Sequence, residues 1–137
     1  MFKNFFEQFV FFPCSELKKF PSNIKLEYED IFLKQDYSII HGWYIKNNNT
    51  KIDDIKDKVI LFFHGNAGNI SFRLNYIKNF YELGFSLLFF DYPGFGLSEG
   101  SPNEENCINS GELFFEYLIN EKKYNKNNEI FYGESIG

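Results

Sequence analysis

Cysteine, basic charge and long apolar runs are all scarce in this chain, and each shortage closes off a class of protein. Cys14 and Cys107 match no metal-ligating or redox spacing. That pattern points to a reduced, cytosol-facing environment with no metal site. A net charge of -5 leaves no basic stripe to neutralise phosphates, so no nucleic-acid partner is expected. Lys18-Lys19 and Lys122-Lys123 are the basic clusters, and both read as solvated positions. The apolar run from Met1 to Phe12 is too short to span a bilayer, and no small-residue cleavage site follows it.

Core-forming material, by contrast, is plentiful. The 137 residues include 19 Phe and 9 Tyr, and 44% of the chain is hydrophobic, enough for one small domain. Residues 1–13 read as an amphipathic segment ended by Pro13, with Phe2, Phe5, Phe6, Phe9 and Val10 at helical spacing. Two roles fit it. Its Phe face packs on the domain, or residues 1–12 make a peripheral membrane contact, aided by acylation of Cys14. The expected location is therefore cytoplasmic, with or without membrane association.

Residues 14–137 form the second unit. Ile24 to Lys34 and Ile39 to Ile45 read as an antiparallel strand pair turning at Gln35 and Asp36. Val59 to Phe63 is a continuous apolar run, as expected for a parallel strand buried on both faces. A Gly-rich loop, His64 to Asn69, follows it. Next come a helix carrying Leu74, Ile77, Phe80 and Tyr81 and stopped at Gly84, and a second buried strand from Phe85 to Phe90. Beyond the loop Asp91 to Gly100, Ser101 and Glu104 form a capping-box pattern with Pro102 at the first helical position. That helix carries Cys107, Gly111, Phe114, Phe115 and Leu118 on one stripe. A last strand, Glu129 to Tyr132, leads into Gly133-Glu134-Ser135-Ile136-Gly137. The class is α/β: an antiparallel pair leading into a parallel sheet with flanking helices.

In such a sheet the loops leaving the C-terminal ends of the strands gather at one rim, where ligands bind. Three loops leave that way here. Glycines on either side of Ser135, after a strand, allow a sharp turn that exposes a serine hydroxyl, a geometry suited to nucleophilic attack on a carbonyl. The N–H of Ile136 supplies one donor for the oxyanion that develops, and the Gly-rich loop supplies a second, from Asn66 or, in reserve, Ala67. Gly94, Gly96 and Gly100 between strand and helix also suggest a dinucleotide cradle, with spacing one residue too long for it.

His64-Gly65-Asn66-Ala67-Gly68-Asn69, Asp91-Tyr92-Pro93-Gly94-Phe95-Gly96-Leu97-Ser98 and Gly133-Glu134-Ser135-Ile136-Gly137, in that order, resemble the α/β-hydrolase superfamily. More narrowly they resemble the bud-emergence-type and α/β-hydrolase domain-containing serine hydrolases, which Gly42-Trp43-Tyr44 also fits. The resemblance implies a serine hydrolase of ester, thioester or amide bonds, acting without a cofactor on a small-molecule or acylated substrate. Ser135 matches the nucleophile, and Asn66 and Ile136 match the oxyanion hole. His64, Gly65, Ala67, Asp91, Gly94, Gly96, Ser98, Gly133 and Gly137 shape the rim. In that family the acid and the histidine follow the nucleophile in sequence. The 137 residues are thus expected to be the N-terminal part of the fold, inactive without those partners, and a non-catalytic remnant or interaction module is the alternative.

Overall fold

The computed structural model describes residues 12–134. The amphipathic segment before Phe12 and the three residues Ser135, Ile136 and Gly137 lie outside them.

Strand β1 (Phe12–Pro13) is followed by a 3-10 turn at Pro21–Ile24, then by β2 (Glu29–Gln35), β3 (Ser38–Ile45), β4 (Val59–Phe63) and β5 (Ala67–Gly68). A 3-10 turn at Ile70–Arg73 leads into helix α1 (Leu74–Leu83). Strand β6 (Ser86–Phe90), helix α2 (Glu104–Asn120) and β7 (Glu129–Gly133) complete the order. Five strands make one sheet in the order β2-β3-β6-β4-β7, and β1 pairs separately with β5. β2 and β3 are antiparallel, β3 joins β6 antiparallel, and β6, β4 and β7 run parallel. The mixed sheet expected from the sequence is the one observed.

β4, and β6 after Ser86, are apolar throughout because both faces of the sheet are covered there. Successive side chains on a strand point to opposite faces. Ile60, Phe62, Leu87 and Phe89 therefore pack with Ile77 of α1, whereas Val59, Leu61, Leu88 and Phe90 pack with Phe114 and Leu118 of α2. Gly111 lets α2 come close: a Cβ there would lie 2.5 Å from the Phe63 ring. At the end of α1, the Gly84 N–H donates to the Phe80 and Tyr81 carbonyls, the stop anticipated at that residue.

Three local expectations need correction. Ile24, Leu26 and Tyr28 precede β2 and do not belong to it. Lys25 takes a left-handed φ of 63° after the 3-10 turn, and the three apolar side chains, half-buried and alternating with exposed neighbours, pack against the cluster around Trp43 without strand pairing. The hairpin turn falls at Asp36 and Tyr37, one residue later than expected, with Gln35 still paired to Ser38. Helix α2 is capped by Asn103 and not by Ser101; the Asn103 side chain accepts the Asn106 N–H at 2.7 Å. Pro102 instead packs beside Gly94 in the preceding loop.

One buried acid makes stability depend on pH. Both carboxylate oxygens of Glu129, at the start of β7, are covered and have no partner among the described residues. Burial, reinforced by the nearby charge of Glu116, pushes this carboxyl from its ordinary 4.5 up to about 7. The native chain thus holds a proton that the unfolded chain releases, so stability falls as pH rises from 4.5 to about 7. Glu129→Gln is expected to remove that loss and to stabilise the protein by about 1 kcal/mol at pH 8, allowing for solvent screening. Urea unfolding at pH 5 and pH 8 checks it; equal midpoint shifts at the two pH values would contradict it.

Candidate active site

Parallel pairing of β6, β4 and β7 brings their C-terminal ends to one rim. Phe62 lies opposite both Phe89 and Tyr132, and Phe63 opposite Gly133. The loops that begin at His64 and Asp91, and the strand end at Gly133 and Glu134, are consequently neighbours.

The first two loops are bound to each other through buried polar groups. His64 and Asp91 side chains are both fully buried, with His64 Nε2 3.0 Å from Asp91 Oδ1. The ring N–H is poorly aligned with that oxygen, so this is a close polar contact and not a well-formed hydrogen bond. His64 Nδ1 lies 2.7 Å from the Gly65 carbonyl, and the Tyr92 hydroxyl donates to the His64 carbonyl at 2.7 Å. The ring is flanked by Tyr92 and Phe95. Asp91 Oδ1 also accepts the Ile70 N–H at 2.9 Å, which fixes the start of the turn leading into α1. His64 is thus enclosed between the two loops. His41, on β3, is likewise buried, with Nε2 2.7 Å from Asp30 Oδ1.

The loop from Asp91 to Gly100 spends its backbone on itself and its neighbours. Ser98 Oγ donates to the Asp91 carbonyl at 2.8 Å and accepts the His41 N–H at 2.9 Å. Gly94 N–H donates to the Glu99 carbonyl, Gly96 N–H to Cys14, Ser98 N–H to Phe95 and Glu99 N–H to Ile39. A phosphate cradle needs such N–H groups pointing at a ligand. With four of them occupied and the first turn of α2 capped by Asn103, the dinucleotide reading is set aside.

The Gly-rich loop is held at nearly every residue but one. Gly65 N–H donates to Glu134 Oε1 at 3.0 Å, so it is not available to an oxyanion. Ala67 is exposed and pairs with Phe12 through the β1–β5 ladder. Gly68 accepts the Cys14 N–H, and the Asn69 side chain donates to the Cys14 and Glu16 carbonyls while accepting from Ser71. Asn66 occupies the bend between them, half-buried, in neither strand.

Sequence reasoning missed Arg73 and Glu134. Arg73 Nη2 pairs with Glu134 Oε1 at 2.8 Å, and its Nη1 donates to the carbonyls of Ala67 at 2.7 Å and Asn69 at 2.9 Å. Burial alone would raise the Glu134 carboxyl; the Arg73 hydrogen bond and charge, with the Gly65 N–H, outweigh it and hold the carboxyl below its ordinary 4.5. The stabilisation from this pair is complete above 4.5 and is lost as pH falls through the lower native value. One signal was available: Arg73 is the single arginine of the chain. Glu134 N–H donates to the Phe63 carbonyl at 2.9 Å, carrying the β4–β7 pairing past Gly133 to the residue before Ser135.

Two other features lie elsewhere or are absent from the described part. A surface hollow lined by Asn47, Thr50, Ile52, Tyr81 and Gly84 sits at the opposite end of the parallel strands, near the start of β6. Among the described residues no group of three His, Cys, Asp or Glu is arranged to hold a metal ion, and no helix is long and apolar enough to cross a membrane.

No protein-family model matches the chain. Individual proteins do. It is 29% identical over 119 residues to the α/β hydrolase domain-containing protein WAV2 of Arabidopsis thaliana, an overlap of 85% of this chain and 37% of that one. It is 30% identical over 118 residues to the protein bem46 of Schizosaccharomyces pombe, covering 85% of this chain and 39% of that one. Among solved structures, an esterase of Pyrococcus furiosus superposes with a TM-score of 0.77 at 20% identity, covering 92% of this chain and 49% of that one. The chain thus spans less than two fifths of the length of each of these two sequence relatives. With the mixed sheet, the rim formed by the loops after β4 and β6 with the end of β7, and these relatives taken together, the chain carries part of the α/β-hydrolase fold.

Proposed function

We propose that the chain carries the nucleophile and the oxyanion hole of a serine hydrolase. Ser135 Oγ attacks the carbonyl of an ester, thioester or amide; the C–O, C–S or C–N bond breaks, the alcohol, thiol or amine leaves with the serine proton, and water hydrolyses the acyl-enzyme to release the carboxylic acid and restore the hydroxyl. The developing oxyanion is held by the N–H groups of Ile136 and Asn66, with Ala67 the reserve. The observation that carries this reading is the hydrogen bond from Gly65 N–H to the side chain of Glu134, which makes the residue before Ser135 a direct neighbour of the Gly-rich loop. That bond consumes the Gly65 donor and leaves Asn66 as the next amide along. With His41 and His64 both buried and engaged, the acid and the general base come from sequence beyond Gly137, in the order usual for these enzymes.

The substrate class is a small-molecule or acylated compound, processed in the cytoplasm without a cofactor. Residues 1–12 make a peripheral membrane contact in this reading. What supports it is the helical spacing of Phe2, Phe5, Phe6, Phe9 and Val10 in the sequence.

A serine-directed fluorophosphonate tests the proposal. A protein extended past Gly137 to the length of its relatives is expected to be labelled, and Ser135→Ala is expected to abolish labelling. Labelling that survives the substitution would refute it.

A further inference from the structure

The one arginine of the chain stands where the Gly-rich loop, the turn before α1 and the end of β7 meet. Its side chain is only 8% exposed, and every side-chain bond it makes goes either to the Gly-rich loop, at Ala67 and Asn69, or to Glu134, the residue before the proposed nucleophile. We propose that Arg73, acting through Glu134, is a positioning residue that fixes the Gly-rich loop relative to the strand end bearing Ser135. The inference rests on the hydrolase reading above for its catalytic consequence, and on geometry alone for its structural one.

The geometry is specific to a guanidinium. Nη1 holds two carbonyls of the loop, Ala67 and Asn69, while Nη2 and Nε face the two oxygens of Glu134 at 2.8 and 3.4 Å. Glu134 in turn takes the Gly65 N–H. The fixed points fall at residues 65, 67 and 69, on both sides of Asn66, so the orientation of the Asn66 peptide follows from the clamp. A lysine ammonium is a single point charge and does not reproduce a fork across a carboxylate together with two carbonyls. Gly68 makes room for the arrangement, since a Cβ there would sit 3.1 Å from Arg73 Nη1 and 2.5 Å from the Phe72 ring. Arg73 does not serve as an anion site for substrate, because its charge is already matched by Glu134 and its surface is covered.

Loosening the clamp lets the oxyanion donors and the nucleophile drift apart, and misplacement by about 1 Å costs roughly 100-fold in rate. Arg73→Lys and Glu134→Gln in the extended protein are read in two ways. Amide hydrogen exchange across residues 64–69 is expected to speed up about tenfold or more while β3 and β6 amides keep their protection, since charge-assisted bonds are lost locally. Turnover of a p-nitrophenyl ester is expected to lose about 10- to 100-fold in kcat with KM changed less than about threefold. Unchanged exchange across 64–69 overturns the inference. So does faster exchange that extends equally to β3 and β6, because the pair would then serve general stability only. If the unsubstituted protein turns over no ester, the hydrolase reading fails, and the exchange result alone decides the clamp.

Discussion

Ser135→Ala is expected to lower kcat for ester hydrolysis by about 10⁵- to 10⁶-fold in the extended protein, leaving only what binding and oxyanion stabilisation supply. The hydroxyl is the one group in this account that forms a bond to substrate, and among the described residues at the rim no His or Tyr side chain is placed to replace it. His64 has its ring closed in by Asp91, Tyr92 and Phe95, and the Tyr92 hydroxyl is committed to the His64 carbonyl. The contrasting variant is Asn66→Ala. If the donor at that position is the backbone N–H, removing the side chain costs less than about tenfold, far below the loss of an oxyanion donor itself. Steady-state kinetics on both variants, with circular dichroism to show an intact fold, checks the pair. A Ser135→Ala protein retaining a tenth of the original rate would contradict the assignment.

The second large effect concerns stability. Gly96→Ala is expected to destabilise the fold by about 3 kcal/mol, a drop of roughly 10 °C in Tm. Gly96 has a φ of +52°, and a Cβ on it would lie 2.1 Å from Asp91 Oδ2. That carboxylate cannot swing aside, because its other oxygen accepts the Ile70 N–H and lies against His64 in a fully buried site. The strain therefore passes into the bond network joining the first two loops. Gly100→Ala is the comparison: its φ of +89° is also left-handed, but the nearest atom is the Ser38 hydroxyl at 2.9 Å on a half-buried side chain able to rotate. About 1 kcal/mol is expected there. Thermal unfolding of the two variants separates backbone strain, common to both, from the carboxylate clash. Equal losses would mean that the Asp91 network contributes little.

Much of this architecture is legible in the sequence because the physics that creates it is local. A strand buried on both faces is apolar along nearly its whole length, so Val59 to Phe63 of β4 and Leu87 to Phe90 of β6 announce themselves as short uninterrupted runs. Gly84 marks the end of α1 because its amide closes the last turn. The failures come where two local signals compete or where the partner is distant. Ser101 and Asn103 both offer capping side chains, and the Ser-x-x-Glu pattern favours the first. Asn103 prevails in a fold where Pro102 is packed against Gly94. Ile24, Leu26 and Tyr28 alternate because they bury one side beneath Trp43, which a loop achieves as well as a strand. The Arg73–Glu134 pair joins residues 61 apart, and no periodicity encodes it. That the loops after β4 and β6 meet the end of β7 at one rim could be read from sequence; that Gly65 N–H belongs to the Glu134 side chain could not.

The most direct measurement is a crystal structure of the extended protein after phosphonylation. The account predicts phosphorus bonded to Ser135 Oγ, with the phosphonyl oxygen about 3 Å from the Ile136 N–H and from the N–H of Asn66 or Ala67. An adduct on any other residue, or a phosphonyl oxygen turned away from the loop between His64 and Asn69, would contradict it.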